Sequence, residues 1–316
     1  SLFLLVYALV QGNEKGWGST EIVGLLIGSA VLMAIFLIAE SRSAHPMLDL
    51  TLFKKPAFAG ASIVALSISA SMFAMFLYLT LYIQDVLEYS PLQAGLRFLP
   101  VTVISFFVAP LSGRLSVRVP IRLLLGGGLL LVGTGLLAMS AIDASSAWTA
   151  LIPGFLLAGA GIGFINPPLA STAVGVVHHS RSGMASGINN TFRQVGVATG
   201  VAGLGAIFQH DFKQHTLAAL SHTGAEHQVL AATHGNFAPL VSGGARSLAQ
   251  QLPPSAEAAL AHAYRVGFTE SLSSILVIAA AVALVGSLLG FALVRSSDFV
   301  SSEDVQEGAA LGSAAA

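Results

Sequence analysis

The chain has 316 residues, 54% of them hydrophobic and only 9% charged, against the roughly 25% charge of an ordinary soluble domain. With a mean hydropathy of +0.80, that composition describes a polytopic membrane protein. A net charge of −1 leaves no nucleic-acid footprint, and the lack of cysteine excludes a disulfide framework, a thiolate nucleophile and a cysteine metal site.

Crossing a hydrocarbon core takes about 20 apolar residues in a helix. Residues 1–11 are hydrophobic without a basic leader or cleavage site, and read as the last half of a spanning helix. Seven further spans follow, at about 22–39, 56–84, 91–111, 123–142, 148–170, 184–207 and 272–294. Barrel strands would alternate over about 10 residues, which this chain does not do. The expected fold is therefore all-α, a polytopic membrane bundle of about seven complete helices plus a partial first one.

Charge in the short connections alternates. Arg42, Lys54 and Lys55 share one loop, Arg114, Arg118 and Arg122 another, Arg181 a third, and Arg295 follows the last span. Glu14, Lys15, Asp85, Glu88 and Asp143 occupy the loops between. The positive-inside bias places the first set and the C-terminus in the cytoplasm of a multi-pass cell-membrane protein. The connection 208–267 would then lie outside as a solvated, partly helical loop. It holds histidines at 210, 215, 222, 227, 234 and 262, but their gaps of 5 and 7 scatter around a helix and no acid cluster completes a metal site. The small, acidic segment 295–316 reads as a disordered tail.

Several motifs reduce to packing. GAGIGF at 159–164 has no strand before it, so it cradles no dinucleotide. Gly159 and Gly163, Gly183 and Gly187, Gly196 and Gly200, and Gly286 and Gly290 form small-xxx-small pairs that allow close helix contact. The sequon at Asn189 lies within a span, which excludes glycosylation. Prolines 100, 110, 153, 167 and 168 predict kinked helices whose freed backbone groups find partners on neighbours.

No carboxylate occupies the middle of a span, whereas Arg193 lies about nine residues, or about 14 Å, inside its helix. Inserting arginine there costs about 2.5–3.5 kcal/mol, so it should face protein or water. Asn189 and Arg193 are four apart, as are Asn190 and Gln194, which sets these groups on one broad side. Two roles fit them: packing, by bonding backbone or snorkelling, and a place on a central cavity or gate. Asn166, beside Pro167 and Pro168, is a further cavity candidate, while Arg97 near its helix start snorkels.

GRLSVRVPIR at 113–122 resembles the signature loop of the major facilitator superfamily, glycine-x-leucine-x-aspartate-arginine-x-glycine followed by basic residues. Gly113, Leu115, Arg118 and Arg122 match, while Val117 replaces the aspartate and Pro120 the second glycine. GNEKGW at 12–17, residues 40–58, YSPLQAGLRFLP at 89–100 and residues 183–208 resemble, in chain order, the fourteen-helix drug:proton antiporter (EmrB/QacA-like) branch.

The resemblance implies that the chain starts in the seventh helix and ends after the fourteenth, and that an N-terminal bundle with the proton-coupling acids is missing. It divides the chain into a linker-helix region at 1–57, a six-helix transporter bundle at 58–294 and the tail. It further implies export of hydrophobic or amphipathic drugs or metabolites by alternating access, with protons, the small-molecule substrate, the lipid bilayer and the missing bundle as partners. No cofactor, metal or nucleic acid is implied, and no reaction is catalysed. A non-transporting membrane scaffold or sensor derived from a half-transporter is the alternative.

Overall fold

The computed structural model describes residues 1–43, 49–177, 181–221, 223, 225–233, 237, 240–241, 248, 250 and 252–295, apart from the side chains of residues 13, 14, 74 and 173. Among the described residues there are helices and turns but no strand. α1 (Leu2–Lys15) ends at Gly16, whose φ of 84° turns the chain toward α2 (Thr20–Arg42). The Ser19 hydroxyl caps α2 by accepting the Ile22 N–H at 3.3 Å. α2 leans on α1 and exposes Ile27, Val31, Ile35 and Ile38, the surface of a helix meant for lipid.

A short 3-10 turn, Leu50–Lys54, leads into α3 (Pro56–Leu81), which is prolonged by a π-helical turn at Tyr82–Val86. The third expected span is two helices, α4 (Pro91–Arg97) and α5 (Leu99–Leu115). Ser90 and Gln93 cap α4 reciprocally, and the helix breaks at Phe98, just before Pro100. Arg97 packs more than it snorkels. Its guanidinium lies 3.3 Å from the centre of the Tyr89 ring and 5.2 Å from that of Trp148, and Nη1 donates to the Gln93 carbonyl at 2.9 Å.

α6 (Ile121–Ser140), α7 (Ile152–Gly175), α8 (Ser182–Leu220), α9 (Glu226–Thr233) and α10 (Pro254–Leu293) complete the chain. α10 packs on α6, α3 and α8; α7 joins α6 to α5; α3 lies along α8; and the α1–α2 hairpin rests on α8. Six of the expected spans are long and apolar enough to cross a membrane: Thr20–Arg42, Pro56–Val86, Pro91–Leu115, Ile121–Ser140, Trp148–Thr172 and Pro254–Leu293. α8 is long enough, but its amides and Arg193 dilute its hydropathy, and it is held between α3 and α10 instead.

The connection at 208–267 differs most from expectation. α8 has 39 residues and α10 has 40, about 60 Å each and twice a hydrocarbon core, so both continue as helix far into that segment. Phe208, Phe212, Thr216 and Leu220 repeat every four residues on α8 and meet Leu260, Tyr264 and Phe268 on α10, all of them buried. The ring pairs Phe208–Phe268 and Phe212–Tyr264 cross edge to face with centroids 4.9 and 5.5 Å apart. A packed helix pair thus replaces a solvated loop. His215 Nδ1 stands 3.7 Å from Glu270 and His210 bonds Gln214, while His222, His234 and the tail at 296–316 lie outside the described residues.

Glycines set the close approaches. A Cβ on Gly196 would lie 2.4 Å from the Leu66 carbonyl of α3, and one on Gly159 2.5 Å from the Val101 carbonyl of α5. Gly286 faces Ser67 and Gly163 faces Val108, so these expected pairs do seat helices. Gly183 and Gly187 meet nothing within 4 Å and seat no neighbour.

Candidate functional site

The site is built where α7 is interrupted. Pro168 has no N–H, so the Phe164 carbonyl four residues earlier loses its helical donor. The buried Ser112 hydroxyl of α5 donates to that carbonyl at 2.7 Å and ties the two helices at the kink. One turn beyond, Ser171 and Thr172 donate to the Pro168 carbonyl at 3.0 and 2.7 Å. Sequence reading anticipated such repair in general but missed Ser112, although the spacing from Pro168 to its orphaned carbonyl was available.

Asn166 sits in this kink. Its Oδ1 accepts a hydrogen bond from Arg193 Nη2 at 3.1 Å, which joins α7 to α8. Both side chains are partly exposed, and no carboxylate among the described residues pairs with Arg193. The arginine is thus a mid-bundle cation whose partner is a neutral amide.

The other polar residues of α8 divide. Asn189 is buried, 7% exposed, and its Nδ2 has no partner, whereas Asn190 and Gln194 are exposed. At about 100° per residue, Asn190 and Gln194 have turned away from the α3 and α7 contacts that bury Asn189 and engage Arg193. The broad polar side is therefore an inward pair and an outward pair.

Beside the kink an open apolar groove of about 770 Å³ runs between α3, α5 and α7. Phe76, Thr102, Phe106, Pro110, Ile162 and Pro167 line it. Asn166 and Arg193 are not part of its lining, but Pro167, which directly follows Asn166, is, so the amide–guanidinium pair stands beside the groove. The size is that of a small-molecule site. Of the signature-like residues, Gly113 lines the groove and Leu115 is half-buried, while Arg118 and Arg122 are exposed in and after the α5–α6 turn. That loop places its charge in solvent and brings no second group to the site.

A clasp closes the bundle's basic-loop end. Arg181 Nη1 and Asp49 Oδ2 are 2.5 Å apart, and Lys55 Nζ donates to the Val176 carbonyl at 2.7 Å, near the end of α7. Asp49 accepts from the Thr51 hydroxyl and N–H, and these bonds, with Arg181, hold its carboxyl below the usual range. Underneath, Leu52 and Phe58 pack with Val176, Ala185 and Ile188. Sequence reading counted the basic residues of this loop and overlooked Asp49.

Apolar helices seated on glycine, a kink repaired across helices and an apolar groove beside that kink define a multi-pass membrane protein of the helical-bundle class. The family model described as Major Facilitator Superfamily matches residues 2–201, and the chain belongs to that superfamily. It is 34% identical over 203 residues to the multidrug resistance protein Stp of Mycobacterium tuberculosis, covering 64% of this chain and 38% of that one. It is 34% identical over 215 residues to the probable actinorhodin transporter of Streptomyces coelicolor, covering 66% and 37%. It is 31% identical over 210 residues to the puromycin resistance protein pur8 of Streptomyces alboniger, covering 65% and 42%. The matched part is thus about two fifths of each relative. A crystal structure of a bacterial homolog of the human lysosomal transporter Spinster, inward-facing and occupied, has the same fold, with a TM-score of 0.54 at 17% identity over 95% of this chain and 66% of that one.

Proposed function

We propose that this chain is the C-terminal part of a secondary active transporter that exports hydrophobic or amphipathic drugs or metabolites in exchange for protons. The observation that carries the reading is the open apolar groove between α3, α5 and α7, with Pro167 in its wall next to Asn166, the partner of Arg193. Relatives named as a multidrug resistance protein, a puromycin resistance protein and a probable actinorhodin transporter support the substrate class. In this reading 58–294 is one rocking bundle, 1–57 links it to a preceding bundle that supplies the proton-coupling acids, and substrate lies between the two. The basic loops and the C-terminus face the cytoplasm of a bacterial cell.

The test is efflux of ethidium and of dansyl-glycine, a cationic and an anionic dye, from preloaded cells producing the full-length protein, with and without a protonophore. The reading predicts efflux above that of the empty host, abolished by the protonophore. Efflux equal to the host, with the protein present in the membrane, refutes it and supports a scaffold or sensor.

A further inference from the structure

From the arrangement around Arg193 we infer that the transported class includes organic anions, and that Arg193 receives the carboxylate of an amphipathic substrate whose apolar body lies in the adjoining groove. The inference rests on the export reading and adds the charge of the substrate.

Three observations support it. First, the charge is uncompensated: the hydrogen-bond partner of Arg193 is the Asn166 amide oxygen, and no described carboxylate pairs with it. α3 and α7 carry no acid; the acids of α8 itself and of the other helices packed on it, α1 and α10, are Asp211, Glu14, Glu257 and Glu270, and Asp211 is 18 residues or about 27 Å along α8. Second, a guanidinium has five N–H donors in a planar fork that fits a carboxylate with two parallel bonds, and a single neutral acceptor leaves most of them available. The side chain is partly exposed, so those donors are open to a ligand. Third, the apolar part of a ligand has a place beside the charge. Ile162 and Pro167 line the groove, Pro167 directly follows Asn166, the partner of Arg193, and Ile162 lies about 6 Å from Asn166 along α7, the scale of an aryl or short alkyl body attached to one carboxylate.

This arrangement makes a selectivity statement. A cation approaching along the groove meets an unneutralised positive charge, a neutral body meets only the apolar wall, and an anion meets both wall and partner. Asn166 acts as a positioning residue: its Oδ1 accepts from Nη2 and so fixes one end of the guanidinium.

Three probes with one fluorophore separate the cases: dansyl-glycine (anionic at pH 7), its methyl ester (neutral) and dansyl-cadaverine (cationic). Binding is measured by fluorescence titration of the full-length protein in lipid nanodiscs. The wild type is expected to bind dansyl-glycine at least tenfold more tightly than the ester, and dansyl-cadaverine most weakly. Arg193→Gln removes the advantage of the anion and leaves the ester unchanged, and Arg193→Lys keeps part of it, because charge survives without the fork. Asn166→Asp supplies an internal counter-ion and also removes the advantage, which keeps the test open if Arg193→Gln folds poorly. Equal affinity for anion and ester in the wild type, binding of neither, or an advantage that survives Arg193→Gln overturns the inference. An equal loss of all three probes in Arg193→Gln also overturns it, since it marks a partner within the protein. Failure of the export reading looks different: anion-selective binding persists while efflux of ethidium and of dansyl-glycine is absent.

Discussion

Gly200→Ala tests whether α3 and α8 are seated on glycine. A Cβ at Gly200 would lie 2.3 Å from the Ala70 carbonyl oxygen and 2.6 Å from its Cα, where about 3.3 Å is the closest comfortable carbon–oxygen approach. Both atoms are backbone, so no rotamer change can relieve the clash and the helices must separate by about 1 Å. A gap of that size forfeits a quarter to a half of each dispersion contact across the interface, including the neighbouring seat of Gly196 on Leu66. Overpacking of this kind costs about 1–3 kcal/mol. Gly203, three residues along the same helix, is exposed with nothing within 4 Å of its Cβ, so Gly203→Ala gains helix propensity of up to about 1 kcal/mol. Thermal unfolding of the detergent-purified protein, followed by the monodisperse fraction on size exclusion, should show Gly200→Ala falling by roughly 5 °C while Gly203→Ala holds or rises. If the two variants unfold together, close α3–α8 packing is refuted.

The kink gives a second prediction: Ser112→Ala costs about 1 kcal/mol in unfolding, and much less in a Pro168→Ala background, where the Phe164 carbonyl regains its helical donor. At the polar site, Asn189→Leu is expected to leave unfolding unchanged or slightly raised because Asn189 Nδ2 is buried without a partner, whereas Asn166→Leu strips Arg193 of its acceptor and costs about 1.5–3 kcal/mol. The clasp should be pH-dependent. Since the Asp49 carboxyl is held below its unfolded value of 3.8, its contribution is full above about pH 4 and is lost as pH falls through the folded pKa. Asp49→Asn should therefore lower the unfolding temperature at pH 7 and converge with the wild type in strong acid; an effect independent of pH would exclude the carboxylate.

The spans were legible because an uncharged run of about 20 residues, coiled as a helix, matches the thickness of a hydrocarbon core. The extended α8–α10 pair was not, because the same search stops at charge: Asp211 and Lys213 end the apolar run while the four-residue stripe of Phe208, Phe212, Thr216 and Leu220 carries on. Glycine pairs four apart were read as seats, and most are. The seats between α6 and α7 went unread, because there Gly128 meets Gly161 and Gly135 meets Gly154, pairs spaced by seven along each helix. Arg193 and Asn166 were each visible as anomalies in apolar sequence. Their bond was not, since 27 residues and a helix reversal separate them.

The account stands most directly on whether the groove is a substrate path reached from both membrane faces. Ser105 faces the groove, and Ser105→Cys in a cysteine-free background places a nearly isosteric thiol there. Labelling by a membrane-impermeant maleimide, applied to whole cells and to everted vesicles, measures that access. The account predicts modification from both sides, slowed by an exported compound. Modification from one side alone, or no slowing by any exported compound, would contradict it.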